Sequence, residues 1–386
     1  MMSKVLRITV NEILSSNLIR FETCILIKDD TEENCAFWSD RKEMLVGRNQ
    51  YEDKLHLFTP WDELKEGQVF LRGEVEAIVN DEKDEILSLS HFLGRGSLFK
   101  IRGFKEDPFS IIDLIEMGTL TEEIGAYLWI LIENRRSIGI IGGTNSGKTS
   151  ILNALVSFIK PQMKIVTVEE FPEITIPSEN SIQMVSRCSL VFGENKSGEA
   201  TLYNLIKKSL RFHPDYIIVG ELRGNEAFML FQALVKGHSG MWTMHSDSLE
   251  SSVLRLTKKP MDVSPEHIPL LNIVLDVQRV HLRKKDEFET HRRMLSIFEV
   301  ADYEKYIQIF NWKPLNDQHK ASLENSIHLS AISKSLGISR EDLLEEMNRR
   351  RNLLSWMKEN RIRNYKDVAN VLAEYYDRPE QFYDKN

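Results

Sequence analysis

The sequence is poor in cysteine, in long apolar runs and in excess positive charge. It has three cysteines, Cys24, Cys35 and Cys188. An odd count without CxxC spacing argues against a disulfide framework and a zinc site, and it fits a reducing compartment. The most apolar run, Ile124–Ile132, is far too short to cross a bilayer, which takes about 20 residues. The N-terminal stretch MMSKVLRITVNEILSSN lacks a long apolar region, so no signal peptide is expected. Membrane association would then have to run through a partner or the surface. No internal repeat and no low-complexity tract is visible. Acidic residues outnumber basic ones, 58 to 50, for a net charge of −8. A nucleic-acid partner is therefore not expected of the molecule as a whole and would need a local basic patch. Arg349-Arg350-Arg351 and Arg361-Ile362-Arg363 fall on expected helices and read as solvated faces. No stripe of alternating aromatic and basic residues is present either.

What is there is an ordinary globular composition, 42% hydrophobic and 28% charged, over 386 residues. That length suggests two or three domains and a core large enough to need no staple. Residues 1–102 read as a short N-terminal α+β domain, with β-type runs at 69–71, 74–79, 86–93 and 99–101. Gly103–Ser110, GFKEDPFS, reads as a linker. Residues 111–325 then alternate between strand and helix. Helices are expected at 111–117 and 121–134, the second capped by Thr121 with Glu122 and Glu123 in its first turn. Strands are expected at 137–141, 164–168, 216–219 and 241–244, with helices at 148–160, 200–211 and 225–235. Such alternation indicates a largely parallel sheet with helices on both faces. Residues 272–282 and 293–300 read as a β-hairpin around the charged turn 284–289. The region 326–386 reads as helical, with Leu343, Leu344, Met347, Leu354 and Met357 at near-helical spacing.

The sharpest motif is Gly142-Gly143-Thr144-Asn145-Ser146-Gly147-Lys148-Thr149, a match to GxxxxGK[ST] between an expected strand and an expected helix. Its glycines let backbone N–H groups curl around phosphate, and the helix N-terminus adds the positive end of a dipole. Lys148 supplies a point charge for the terminal phosphates and the Thr149 hydroxyl a ligand for Mg2+. Ser150, next in the helix, completes the set of nucleotide-binding candidates. ATP with Mg2+ is the expected substrate and metal.

A second signal is Leu210-Arg211-Phe212-His213-Pro214-Asp215-Tyr216-Ile217-Ile218-Val219-Gly220-Glu221-Leu222-Arg223-Gly224. An apolar strand delivers a carboxylate to its C-terminal end, where a parallel sheet places its chemistry. A structural Glu221 paired with Arg223 is the bland alternative. Gly220 stands where most P-loop enzymes have Asp, and this segment resembles the Walker B segment of the type II/IV secretion, type IV pilus and archaellum ATPase superfamily. Lys164-Ile-Val-Thr-Val-Glu169-Glu170-Phe-Pro172-Glu173 resembles that family's acidic box. Lys236-Gly-His238-Ser-Gly-Met-Trp-Thr-Met-His245-Ser-Asp247-Ser248 resembles its His box. The stretches 107–121 and 352–376 are similar to archaeal members in particular.

The resemblance implies a RecA-like P-loop ATPase domain that works as a homo-hexamer on an integral membrane platform protein. Through that platform it would act indirectly on pilin-like or secreted substrates, from the inner face of the cell membrane. It also implies roles for single residues. Glu221 would orient or deprotonate the attacking water. Glu169, ahead of Glu170 and Glu173, would bring a further carboxylate to the nucleotide. His245, ahead of His238, would sense the γ-phosphate. Arg102, ahead of Arg95, would reach that phosphate from the last strand of the N-terminal domain. Two other readings remain: a DNA-transfer motor, and a non-hydrolysing regulatory relative.

Overall fold

The computed structural model describes residues 107–186, 200–284 and 287–382, together with backbone strands between Ile19 and Gly103. The chain divides into two units, one around Met1–Glu106 and one from Asp107–Ser189 and Ser197–Asn386. In the first unit, Ile19–Phe21, Val75–Ile78, Glu85–His91 and Ser97–Gly103 form an antiparallel sheet in that order.

The second unit opens with helices α1 (Ile111–Glu116) and α2 (Glu122–Glu133). Ser110 and Asp113 close a capping box at the start of α1. The Thr121 hydroxyl accepts the Ile124 N–H, as expected, and begins α2. A helix that is apolar on all sides belongs in a core. Accordingly, Ile124–Ile132 are all buried.

A nine-stranded sheet follows. Its members are β1 (Ile138–Gly142), β2 (Ile165–Glu169), β3 (Ser181–Val185), β4 (Tyr216–Val219), β5 (Ser239–His245), β6 (Ile273–Lys284), β7 (Glu287–Asp302), β8 (Lys305–Lys313) and β9 (Gln318–Ala321). Their order is β3-β2-β4-β5-β1-β6-β7-β8-β9. The strands from β3 through β6 run parallel. From β6 onward the pairing is antiparallel. Helices α3 (Lys148–Val156), α4 (Leu202–Ser209), α5 (Glu226–Val235) and α6 (Leu249–Thr257) connect the parallel strands. The expected α/β class with a parallel, P-loop-bearing RecA-like sheet is thus what the chain forms. The central parallel strands β1, β2 and β4 are buried end to end, which is why β1 and β4 read as apolar runs, while β2 carries the buried polar residues Thr167 and Glu169.

Strand β3 and helix α6 were not expected, the charged turn expected at 284–289 is mostly strand, and two further details differ. The P-loop helix α3 ends at Val156, four residues before the expected end near Lys160, and Ser157 donates its hydroxyl to the Ala154 carbonyl at 2.7 Å. The sheet also continues past the expected hairpin into β8 and β9.

Helices α7 (Ile327–Leu336), α8 (Arg340–Glu359) and α9 (Tyr365–Asp377) close the unit over α2. Trp129 of α2 lies stacked on Phe158 at 5.3 Å and edge-on to Tyr375 at 5.1 Å. Burying one such side chain contributes about 1.5–3 kcal/mol. Arg350 corrects the solvated-face reading of the arginine triplet. It is 5% exposed, its guanidinium 4.9 Å from the Trp129 ring. It pairs with Glu133 at 2.5 Å and with Glu346 at 2.9 Å. A buried cation persists where such partners replace water.

Glu299 of β7 joins the sheet to these helices. Fully buried, it accepts Tyr127 Oη at 2.6 Å, the Ser326 hydroxyl, and the backbone N–H groups of Ile327 (2.7 Å) and His328 (3.2 Å) at the start of α7. Among the described residues no helix is long and apolar enough to cross a membrane.

Candidate functional site

The strand order explains the site. One strand, β5, stands between β1, which leads into the glycine loop, and β4, which leads into Glu221. Side by side, their C-terminal ends bring distant segments together. Residue pairing sets His245, the last residue of β5, beside Gly142, the first glycine of the loop.

The loop can only be built with glycine at its ends. A Cβ on Gly142 would lie 2.0 Å from the Val277 carbonyl oxygen of β6. Gly147 caps α3 at φ +95°, a left-handed conformation that side chains resist. Thr144 and Asn145 form the exposed tip, while Gly143, Thr149 and Ser150 are half-buried. The Ser146 hydroxyl is buried with no hydrogen-bond partner. An orphan buried hydroxyl inside a glycine cradle is what a loop shaped around phosphate oxygens would have.

Lys148, at 7% exposure, turns its ammonium into the loop. Nζ donates to the carbonyls of Gly142 (3.0 Å) and Gly143 (2.7 Å), and lies 3.2 Å from His245 Nδ1. An ammonium can only donate, so Nδ1 is the acceptor and the ring proton belongs on Nε2. Nε2 is 3.5 Å from Glu221 Oε1. Burial, then the Lys148 charge, holds the His245 pKa below its ordinary value against the pull of Glu221, so the ring is neutral at pH 7. The His245 carbonyl is gripped by Arg255 of α6.

Glu221 divides its oxygens. Oε1 faces His245, and Oε2 accepts Arg223 Nη2 at 2.8 Å. Burial raises its pKa. The Arg223 hydrogen bond and charge, followed by His245 and Lys148, lower it by more, and the net shift is downward. Arg223 also reaches Glu170 at 3.2 Å, which brings that acidic-box residue to the same cluster.

Glu169 is placed differently from its neighbour. It is 2% exposed and packs against Gly220. Its Oε1 accepts the N–H groups of Glu173 and Ile174, each at 2.9 Å, while Oε2 has no partner. Burial pushes its pKa up to about 8, with the two N–H groups opposing. A carboxyl with a raised folded pKa contributes stability below its unfolded value near 4.5, and that contribution is lost as pH rises through 8. Glu169→Gln mimics the protonated form and should therefore gain in Tm over the parent as pH climbs between those values, then level off. A Tm difference that stays flat from pH 5 to 9 would contradict this.

Other expected residues lie elsewhere. His238 binds the Pro214 carbonyl at 2.7 Å, just before β5 begins. It sits about 20 Å of strand away from His245, which removes it from γ-phosphate sensing. Glu173 contributes backbone to the Glu169 turn and accepts Asn153 Nδ2 at its carbonyl, 2.8 Å. Arg102 is in the strand Ser97–Gly103 of the first unit, and its side chain lies outside the described residues, as does Arg95 entirely.

Three supporting residues escaped the sequence reading. Glu226, 6% exposed, accepts the N–H groups of Arg223 (2.5 Å) and Gly224 (2.6 Å) and so fixes the turn carrying Glu221. An acid in the first turn of α5 was its only signal. The Thr243 hydroxyl of β5 holds the Gly220 carbonyl at 2.6 Å. A lone hydroxyl in the buried run Gly-Met-Trp-Thr-Met needs such a partner. Arg255 is the third. Among the described residues no cluster of three or more His, Cys, Asp or Glu could hold a metal. The Thr149 hydroxyl beside the loop suits Mg2+, which is usually bound through few protein ligands plus phosphate oxygens.

The profile of the type II/IV secretion system proteins matches residues 74–284. The uncharacterized protein MJ1287 of Methanocaldococcus jannaschii is 37% identical over 269 residues, 68% of this chain and 96% of that protein. The conjugal transfer protein TrbB of Rhizobium radiobacter is 30% identical over 175 residues, 44% of this chain and 51% of that one. The chain spans about half or less of the length of several further curated relatives. Among solved structures, the Legionella pneumophila ATPase DotB is 14% identical with a TM-score of 0.41, covering 79% of this chain and 75% of that one.

Proposed function

We propose, from the premise that the chain belongs to the type II/IV secretion system ATPase family, that it hydrolyses ATP at the cluster of Lys148, His245 and Glu221. The observation that carries this reading is their continuous contact, 3.2 Å and then 3.5 Å, across the ends of adjacent parallel strands. The backbone N–H groups of residues 142–149 and the start of α3 receive the phosphates. Lys148 neutralises them, with Thr149 and Ser150 beside it. Thr149 would hold Mg2+, which would supply further neutralisation of negative charge.

Glu221 acts as an aligner of water rather than a strong base, since its pKa is held low and a general base works best near the operating pH. His245 bridges the lysine that meets phosphate and the glutamate that meets water. Its carbonyl carries any displacement to Arg255 and α6. Glu169 serves as an internal brace for the 173–174 turn, and Glu170 steadies Arg223. Arg102, with Arg95 second, is the proposed γ-phosphate contact.

The finer reading is a head-to-tail homo-hexamer. It stands at the inner face of the cell membrane and works on an integral membrane platform protein, which adds or extracts pilin-like or secreted subunits. The similarity to a protein named for conjugal transfer supports a second reading, a DNA-transfer motor. The test is ATP turnover by the purified full chain, alone, with a candidate platform protein in vesicles, and with DNA. We expect stimulation by the platform and none by DNA. Salt-sensitive stimulation by DNA would favour the second reading. No turnover under any condition would favour a non-hydrolysing regulatory role.

A further inference from the structure

The β6–β7 hairpin forms a wall beside the glycine loop and carries a cation that no motif of the sequence announces. Arg292 of β7 donates from Nε to the Asn145 carbonyl at 3.1 Å. Its Cδ lies against Gly147, where an added Cβ would meet it at 3.0 Å. Its neighbour Arg293 is buried and anchored. It makes a two-pronged pair with Asp317 at 2.7 and 2.8 Å and donates to the Met117 carbonyl at 3.0 Å. It also donates to the carbonyl of Arg292 itself at 2.9 Å. Arg292 therefore projects from a braced piece of backbone. Among the described residues it has no carboxylate partner, so a surface ion pair does not account for its position.

The geometry points to Arg292 as a positioning residue for phosphate binding, one that holds the glycine loop in its phosphate-receiving shape from outside. The physical basis is the planarity of the peptide group. In a trans peptide the C=O and the following N–H point in opposite directions. A guanidinium that holds the Asn145 carbonyl outward therefore holds the Ser146 N–H inward, where it already faces the Gly143 carbonyl at 3.4 Å. Asn145 has φ +59°, a left-handed conformation that asparagine accepts more readily than most side-chain residues, and the Arg292 bond fixes the direction of the carbonyl that follows. Gly147 at the next bend leaves room for the arginine stem. Without the clamp, the loop would relax among conformations in which its N–H groups diverge, and phosphate binding would have to re-order them.

This inference rests on the reading of the loop as a nucleotide site, and the experiment separates the two. Affinities of the full-length protein for a fluorescent ADP analogue would be measured, with ATP and inorganic tripolyphosphate as competitors. We expect Arg292→Ala to weaken all three about tenfold, the worth of one charge-assisted hydrogen bond. KM for ATP should rise by a similar factor while kcat falls less. Arg292→Lys, which can still donate to the carbonyl, should recover most of the affinity. Unchanged Tm in both variants would be consistent with the exposed position of the side chain. If ATP weakens and tripolyphosphate does not, Arg292 reads the base and the positioning role is overturned. Wild-type affinity in Arg292→Ala, alongside lost binding in Lys148→Ala, would overturn this inference alone. Wild-type affinity in both would remove the nucleotide site itself.

Discussion

Lys148→Ala should reduce ATP turnover by about 10²–10³-fold in kcat/KM, the usual cost of deleting a donor that stabilises charge in a transition state. The lysine is buried at the base of the loop, with its ammonium held by two loop carbonyls and the His245 ring. The alanine variant loses the only charge in the loop that can face a terminal phosphate, and nucleotide affinity should fall with it. Two loop carbonyls and one imidazole nitrogen also lose their donor. The fold should survive with a modest fall in Tm. Phosphate release at saturating ATP, together with thermal melting, would check both parts. Turnover like that of the parent would remove the site from the mechanism.

Glu221→Gln should lower kcat by about 10²–10⁴-fold while nucleotide binding stays close to normal. The amide keeps the shape and one oxygen acceptor, so the Arg223 contact can be retained. What disappears is the negative charge that faces His245 and that would align a water molecule. Loss confined to kcat, with ADP-analogue affinity retained, separates this residue from Lys148. Equal losses in binding and turnover would instead assign Glu221 a purely structural partnership with Arg223.

The glycine loop was legible because its spacing, strand and helix are all local, and so were the central strands β1, β2 and β4, whose burial leaves mostly apolar runs. Glu221 was legible for the same reason, at the end of such a run. The position of His245 between Lys148 and Glu221 was not, because it depends on β5 lying between β1 and β4, and strand order is not written in any one segment. The acidic box shows a second limit. Glu169 and Glu170 are adjacent, and adjacent residues at a strand end face opposite sides. One folds inward onto the 173–174 turn and the other meets Arg223. Composition cannot choose between them, and only the pleat does. Arg350 shows a third. Three consecutive arginines on a helix read as solvent-facing, yet the partner that draws one inside, Glu133, is more than two hundred residues away in sequence.

The Glu299 carboxylate has a practical consequence for dissecting this chain. Of its four donors, Tyr127 belongs to α2, and the other three, Ser326, Ile327 and His328, arrive with α7. Cutting the polypeptide just ahead of residue 326 would strip away most of its donors and uncover the flank of α2 at the same stroke. The last sixty residues are thus part of the foundation on which the sheet sets, and a fragment ending before residue 326 should melt well below the parent.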